Sequence, residues 1–440
     1  MKFHIRNFGC RATQADGAAL ASALTASGCA VATECAGAEL VILNTCTVTS
    51  SADDDVRQAV RRVRRENPTA QILITGCYAQ RAPAEVAAMA GVRWVVGNTH
   101  KAMIPEIVRA EAGSVFVGDI LAQREFASTP VLEAGEDRTR PNLKIQDGCN
   151  NRCAFCVIPS VRGRSRSAPP AQVVEQVRDL ASRYREVVLS GVNLGRWGRE
   201  PAIGMRLVDL LRRLLAETGI ERLRLSSVEP MDLSDELLEL MAGSPRIAQH
   251  VHAPLQSGSD AVLRRMRRWY RARHYADRIR KAREWMPEAA IGADVMTGFP
   301  GETEAEFQVT LEFIESLPFT YLHVFTYSER PGTPAAAMPG PVPVRERKRR
   351  NRVLRELAAA KNLAFRRGMV GKRLSAVTIE DGGVALSSNY LKIQLLTPRG
   401  ANQLIQVEIS GLGEGLGEVR GDVVGGFDAH GEAHQVLGDA

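Results

Sequence analysis

A chain of 440 residues with 45% hydrophobic and 24% charged content is long enough to bury two or three cores, and its composition excludes a disordered or fibrous protein. No apolar run reaches the roughly 18 residues of a membrane span and Lys2 leads into an alternating strand pattern, not a secretory leader, so the reading is cytoplasmic with no membrane partner. Eight cysteines are too few for a disulfide scaffold and better suited to metal ligation, while a net charge of +7 and a pI near 9.1 invite a polyanionic partner.

Residues 1–120 read as a first domain. Three strand candidates each run into a cysteine: Phe3–Phe8 through Gly9 to Cys10, Leu40–Leu43 through Asn44-Thr45 to Cys46, and Ile72–Thr75 through Gly76 to Cys77. Helical patterns at Gln14–Ser27 and Asp54–Glu66 separate them, and alternating strands and helices predict a parallel sheet covered by helices. In such sheets the carboxyl ends of the strands form the binding crevice. Cys10, Cys46 and Cys77 therefore fall on one sheet edge, although 36 and 31 residues separate them, and make a candidate three-thiolate site. Cys29 and Cys35 read as structural cysteines. Arg57, Arg61, Arg62, Arg64 and Arg65 line one helix as a solvated face. Residues 121–142, with Pro130 and Pro141 among Glu133, Glu136 and Asp137, read as a linker.

A second three-cysteine group follows at once. Cys149-Asn150-Asn151-Arg152-Cys153-Ala154-Phe155-Cys156 places three thiols on a short loop after the apolar run Leu143–Ile145, and thiolates so close can ligate one soft metal centre. A fourth cysteine is absent nearby, the next being Cys77 upstream with none downstream, so a zinc or four-cysteine cluster site would be incomplete. Residues 143–344 continue as βα units. Strands are expected at Leu143–Ile145, Val187–Leu189, Leu223–Leu225, Ile247–Val251, Ala290–Val295 and Leu322–Phe325. Helices fit Ala171–Tyr184, Met205–Glu217, Asp235–Ala242, His274–Trp285 and Glu304–Ser316, with another at Ala261–Arg268. Six parallel strands suggest an open barrel with function at the strand carboxyl ends. Polar turns stand there: Ser190–Asn193, Ser226–Pro230, His252–Gly258 and Gly298–Glu302.

The remainder is basic, then β-rich. Between Arg345 and Arg373 there are 12 Lys or Arg against Glu346 and Glu356, interleaved with Val353, Leu354, Leu357, Leu363 and Phe365, which predicts a basic amphipathic helix over 345–367. A second basic block, Arg264–Arg283, has ten Lys or Arg around Trp269 and Tyr270. Residues 368–430 read as a small barrel of five short strands of an oligonucleotide-binding shape, acidic on its own, so the helix before it must supply phosphate attraction. Residues 431–440 read as a frayed tail.

The cysteine loop and the ordered turns together resemble the radical S-adenosylmethionine (SAM) methylthiotransferases over nearly the whole chain. The resemblance implies an α/β fold: an amino-terminal parallel-sheet α/β domain, a central partial (β/α)6 radical SAM barrel and a small carboxyl-terminal antiparallel β-barrel of the TRAM type. It implies two [4Fe–4S] clusters, an auxiliary one on Cys10, Cys46 and Cys77 and a SAM-binding one on Cys149, Cys153 and Cys156 with one iron left open for SAM. By the same resemblance Phe155, Gly191, Asn193, Ser227, Glu229 and Gln256 are SAM-side residues. Within the family the chain most resembles the branch acting on N6-threonylcarbamoyladenosine at tRNA position 37, through Asn44–Thr49, Ser226–Pro230 and Asn389–Lys392. Arg11 after Cys10 departs from the lysine frequent there and keeps the charge. The implied partners are the tRNA anticodon stem-loop, an electron donor such as flavodoxin or ferredoxin, and a sulfur source. Arg162, Arg164, Arg196, Arg330, Arg349, Arg350 and Arg352 are candidates for substrate or tRNA contact, since a threonylcarbamoyl carboxylate needs a cation or several donors. The competing readings are a methylthiotransferase for isopentenyladenosine 37 or for ribosomal protein S12, a radical SAM enzyme using its second cluster for electron transfer, and a non-enzymatic RNA-binding iron–sulfur protein.

Overall fold

The computed structural model describes residues 1–110, 113–126, 139–413, 415, 418–427 and 433–435. The first sheet contains β1 (Lys2–Asn7), β2 (Ala30–Val31), β3 (Leu40–Thr45), β4 (Gln71–Gly76), β5 (Val92–Val96) and β6 (Val115–Phe116) in the order β2-β1-β3-β4-β5-β6, parallel throughout. Five helices accompany it: α1 (Arg11–Ala26), α2 (Ser50–Glu66), α3 (Cys77–Arg81), α4 (Pro83–Ala87) and α5 (Ile104–Ala110). Both sheet faces are covered, so central β3 is buried at every residue, as a parallel sheet between helices requires. Alternation divides it. Leu40 and Ile42 join Phe3, Leu24 and Trp94 on one side, while Val41 and Leu43 join Val56, Val60 and Val63 of α2 on the other. Thr49 starts α2 by accepting the Ala52 N–H on its hydroxyl at 3.2 Å. Strands β2, β5 and β6 were not among the sequence expectations.

The second unit holds β7 (Asn142–Asp147), β8 (Arg166–Ser167), β9 (Glu186–Gly191), β10 (Arg222–Leu225), β11 (His250–His252), β12 (Ala290–Thr297) and β13 (Tyr321–Thr326). They form two arcs, β10-β9-β7-β8 and β11-β12-β13, joined by one parallel bridge from Leu223 to Ile247. The six expected strands are thus present and parallel, with β8 an antiparallel addition to β7. The fourth is shorter than expected, because Ile247 makes only that single bridge. Around the outside run α6 (Ile158–Arg162), α7 (Pro170–Ala181), α8 (Leu207–Glu217), α9 (Asp235–Gly243), α10 (Asp260–Arg265), α11 (Ala272–Trp285) and α12 (Glu304–Glu315). Leu143, Ile145, Val187, Leu189, Leu223, Leu225, Val251, Ile291, Ala293 and Val295 pack against these helices in the largest core. Their strand neighbours point the other way and are polar: Lys144, Gln146, Glu186, Ser190, Arg224, His250, His252 and Asp294. The barrel lumen is therefore a charged, hydrogen-bonded interior.

Helix α13 (Val344–Arg367) crosses the outer edge of β13. Asn351 Nδ2 donates to the Val324 carbonyl and Asn362 Nδ2 to the Thr320 carbonyl, each at 3.1 Å, and Leu354 is fully buried beneath it. The last unit is β14 (Arg373–Ile379), β15 (Val384–Ser387), β16 (Lys392–Leu395), β17 (Leu404–Leu412), β18 (Glu418–Phe427) and β19 (Ala433–Gln435). Its pairs are antiparallel, and a parallel pairing of β16 with β18 closes the barrel around Leu374, Ala376, Ile393, Val407 and Val419. Of the stretch expected to fray, Ala433–Gln435 pairs with Gly425–Phe427; the rest lies outside the described residues, as do linker positions 127–138.

This barrel closes the floor of the larger one. Glu186, buried inside, accepts from Arg224 Nε at 2.7 Å and Nη2 at 3.1 Å and from Arg140 Nη1 at 3.1 Å, with Arg222 Nη1 at 3.6 Å. Arg224 then donates to the Ser387 and Ser388 carbonyls at 2.9 and 3.0 Å, and Arg222 to the Ser375 hydroxyl. The amino-terminal domain is tied in as firmly. Asp16 of α1 is buried against Lys101, Lys144 and Arg162, and Asn142 Nδ2 donates to the Arg11 carbonyl at 2.7 Å.

Candidate functional site

Cys10, Cys46 and Cys77 follow three adjacent strands, β1, β3 and β4. Cys10 precedes α1, Cys46 follows Thr45 directly and Cys77 opens α3. Two glycines make the crossing tight. Gly9 has φ +111°, and a Cβ there would lie 2.5 Å from Cys46 Cβ and 3.0 Å from its Sγ; Gly76 has φ +99°, and a Cβ would lie 2.5 Å from the Thr45 carbonyl. The Val48 N–H points at Cys46 Sγ (3.5 Å) and Asn98 Nδ2 at Cys77 Sγ (3.7 Å). Burial first, then charge on Cys77 and on Cys10, pushes the Cys46 thiol up to about 12. A bound soft metal deprotonates its thiol ligands and supplies the cation that neighbouring thiolates need. The donor set therefore fits a metal centre.

The second cysteine group lies on the loop between β7 and α6. Gly148 turns the chain out of the strand at φ +71°, where a Cβ would stand 2.0 Å from the Arg164 carbonyl. Ala154 is clamped by backbone on both sides, its N–H to the Met266 carbonyl and its carbonyl from the Ala335 N–H, each at 2.9 Å. Donors converge on the sulfurs: the Asn151 N–H on Cys149 and the Ile158 N–H on Cys156, both at 3.4 Å, Asn193 Nδ2 on Cys149 at 3.6 Å, and Arg268 Nη1 on Cys153 at 3.2 Å. Such donors favour the thiolate. In their present state burial raises the Cys149 thiol and pushes Cys156 up to about 12. The two groups meet across α6. Asn98 reaches both Cys77 and, at 2.7 Å, the Val161 carbonyl. Arg162 pairs with Asp16 at 2.9 Å and Asp147 at 3.0 Å; burial lowers its basicity, but Cys77 and the two carboxylates hold it well above the usual range.

The expected SAM-side residues surround the loop. Asn193 donates its backbone N–H to Gln146 Oε1 at 2.7 Å, and a Cβ on Gly191 would stand 2.8 Å from the same oxygen. Glu229 is ion-paired with Arg268, so a carboxylate, a guanidinium and Cys153 form one chain. Gln256 takes φ +66° between β11 and β12, its N–H on the Asp294 carbonyl at 2.8 Å and its carbonyl accepting from Met296 at 2.9 Å. Phe155 is half-buried against the small core of Ala154, Met266 and Phe299, and Ser227 is half-buried at the end of β10. Asn193 Oδ1 and Ser226 Oγ are buried with no hydrogen-bond partner among the described residues, which fits a polar ligand at these strand ends.

The candidate arginines divide sharply, and several expectations need correcting. Arg162 is buried in the ion pairs above. Arg330 is buried on Asp53 (2.6 Å) and Thr47 (2.7 Å), and Arg350 on Glu302 (2.8 Å). These three are committed internally, because an unpaired buried charge is costly. Arg196 pairs with Asp232 at 2.8 Å and Arg349 with Glu304 and Glu346 at 2.6 Å, while Arg164 and Arg352 are exposed. Helix α13 thus spends Arg347, Arg350 and Arg366 on packing. Sequence reasoning passed over Asn98 and the lumen residues His250, Asp294, Tyr321 and His323, and named Arg268 only within a basic block and His252 only as the start of a polar turn.

Residues 143–314 match the Radical SAM superfamily and residues 2–97 the Uncharacterized protein family UPF0004. The chain is 38% identical over 414 residues to the threonylcarbamoyladenosine tRNA methylthiotransferase MtaB of Aquifex aeolicus, covering 93% of this chain and all of that one. It is 42% identical to the Bacillus subtilis protein of the same name over 74% of this chain and 73% of that one. It is 34% identical to a tRNA-2-methylthio-N(6)-dimethylallyladenosine synthase of Parafrankia over 99% of this chain and 89% of that one. Among solved structures, the cobalamin-dependent SAM radical enzyme OxsB in its apo, SeMet-labeled form superposes with a TM-score of 0.51 at 11% identity, over 81% of this chain and 55% of that one, a likeness of fold. A radical SAM barrel flanked by a parallel-sheet domain and a small antiparallel barrel, matched over most of its length by such relatives, makes this chain a transferase of the radical SAM methylthiotransferase family, with a mechanism that depends on SAM and iron–sulfur chemistry.

Proposed function

We propose that the chain converts N6-threonylcarbamoyladenosine at tRNA position 37 into its 2-methylthio derivative. What supports this reading is that MtaB-named relatives match the chain over most of its length, with Cys10, Cys46 and Cys77 at the ends of three adjacent strands and Cys149, Cys153 and Cys156 on one loop. Cys149, Cys153 and Cys156 would hold one [4Fe–4S] cluster with an iron free for SAM, and Cys10, Cys46 and Cys77 a second. When bound, these groups supply reductive SAM cleavage at the first and the sulfur that becomes the methylthio group at the second.

The chain's own residues then have defined tasks. Amide and side-chain donors on the sulfurs offset thiolate charge, and the Glu229–Arg268 pair fixes the cation beside Cys153. Asn193 and Ser226 offer unused oxygens to the SAM amine and ribose, Phe155 an aromatic edge, and Gly191 and Gln256 backbone groups. Arg164, Arg352 and the other exposed cations of α13 attract the tRNA backbone, assisted by the carboxyl-terminal barrel. A flavodoxin- or ferredoxin-like reductant, a sulfur donor and a cytoplasmic location complete the reading. The test supplies anaerobically reconstituted protein with matched tRNAs carrying threonylcarbamoyl- or isopentenyladenosine, followed by digestion and mass spectrometry. The 2-methylthio product is expected from the threonylcarbamoyl tRNA alone. Preferential conversion of the isopentenyl tRNA, or modification of ribosomal protein S12, would overturn the substrate.

A further inference from the structure

Three side chains that the proposed chemistry leaves unused converge inside the barrel. His252 ends β11, Asp294 lies on β12 and His323 on β13, three consecutive parallel strands. In the register His252 stands opposite Gly292 and Asp294 opposite His323. Residues two apart on a strand share a face, so all three project into the lumen. His252 Nε2 is 3.1 Å and His323 Nδ1 3.2 Å from the same oxygen, Asp294 Oδ1, and the three ligand atoms lie within 4.8 Å of one another. A tetrahedral ion bonded to nitrogen and oxygen at about 2.0–2.1 Å requires ligand separations of about 3.3 Å, close to both short distances.

The surroundings also suit a cation. Tyr321 Oη is 2.8 Å from His252 Nδ1 and 2.7 Å from His250 Nε2, the outer contact that orients a ligating histidine. Tyr321 lies there because residue 292 is glycine: a Cβ would stand 2.0 Å from its ring. Side-chain exposure climbs from 7% at His252 through 24% at Asp294 to 53% at His323, closing the group on one side and opening it to the cavity on the other. Two imidazoles and a carboxylate without a thiol select a borderline divalent ion such as Zn2+, Fe2+ or Mn2+, in contrast with the soft all-thiol sites.

We propose that His252, Asp294 and His323 form a divalent transition-metal site in the barrel lumen, built from none of the cysteines, with an open position facing the cavity for an oxygen donor such as a carboxylate. The site stands whether or not the proposed reaction does. To test it, full-length protein with its iron–sulfur centres reconstituted is equilibrated with Co2+ and desalted, and cobalt content and visible ligand-field absorption are measured. About one cobalt per chain is expected, without the sulfur charge-transfer band of a thiolate site. His323→Ala removes an exposed ring and should reduce cobalt to background with iron unchanged, as should Asp294→Asn. Tyr321→Phe should weaken cobalt affinity about 10–100-fold. Equal cobalt in His323→Ala and wild type, or none in wild type, would reduce the group to a hydrogen-bonded His–Asp–His cluster. The readout needs no tRNA, so either outcome leaves the methylthiolation test independent.

Discussion

Glu186 is the perturbation with the most calculable consequence. One buried carboxylate receives Arg224 twice, Arg140 once and Arg222 at 3.6 Å, so Glu186→Gln keeps the shape but removes the counter-charge that three guanidinium groups share. Breaking a buried pair in this way costs about 3–5 kcal/mol, a large fraction of the roughly 5–15 kcal/mol that holds a domain folded. The same change loosens Arg224 and Arg222, which reach Ser387, Ser388 and Ser375, so the two barrels should separate early. Urea unfolding at neutral pH, followed by tryptophan fluorescence, to which Trp197 in the large core contributes, should show the unfolding free energy lowered by that amount. Acidification supplies the sign. Burial raises the Glu186 carboxyl, but the charges of Arg224 and Arg140 outweigh it and hold it below the ordinary range. Its contribution is therefore complete above the unfolded value of about 4.3 and is lost as pH falls below that toward the folded value. Wild type and Glu186→Gln should converge in acid. A neutral-pH difference under about 1 kcal/mol, the scale of a solvated surface pair, would refute the ledger of charges at the barrel floor.

Helix α13 should show two kinds of arginine. Arg350→Ala strands Glu302 and should destabilise by about 3–5 kcal/mol, whereas Arg352→Ala, at a side chain 73% exposed, should leave thermal stability unchanged and flatten the salt dependence of tRNA affinity by about one unit of slope. Gly148→Ala should cost the loop its turn, since a Cβ would overlap the Arg164 carbonyl; iron analysis should show loss of about one cluster of four with the amino-terminal site retained. Cys153→Ala and Cys46→Ala should each lower iron from about eight to about four per chain. Only Cys153→Ala should abolish 5′-deoxyadenosine formation, and an iron content unaffected by Cys46→Ala would remove the amino-terminal site.

What could be read in advance followed from period and local spacing. Cys149, Cys153 and Cys156 announce themselves by proximity, and Cys10, Cys46 and Cys77 by recurring at the same point of a βα repeat, because a parallel sheet brings such points to one edge. Charge was less legible. Arg330 and Arg350 look identical to Arg352 in sequence, and only the folded chain shows Asp53 and Glu302 waiting for the first two. That His252, Asp294 and His323 form one group was invisible for a related reason. Each is one polar residue inside a strand, separated from the next by 42 and 29 positions, and lumen polarity emerges only when the barrel is closed. The two-residue strand β2 and the brief β6 carry too few residues for alternation to register.

The arginine pair that reaches from β10 into the small barrel has a practical corollary for anyone recombining members of this family. A crossover placed at the end of the superfamily match, residue 314, or just after α13, would join a donor plug to a foreign socket. Arg222 and Arg224 would meet whatever the other barrel sets in place of the Ser375 hydroxyl and the Ser387 and Ser388 carbonyls, and Tyr390, stacked 4.4 Å from His250 and bonded to Arg11 at 3.2 Å, would be exchanged along with them. The graftable unit is therefore larger than the superfamily match: such pieces must carry both halves of the seam.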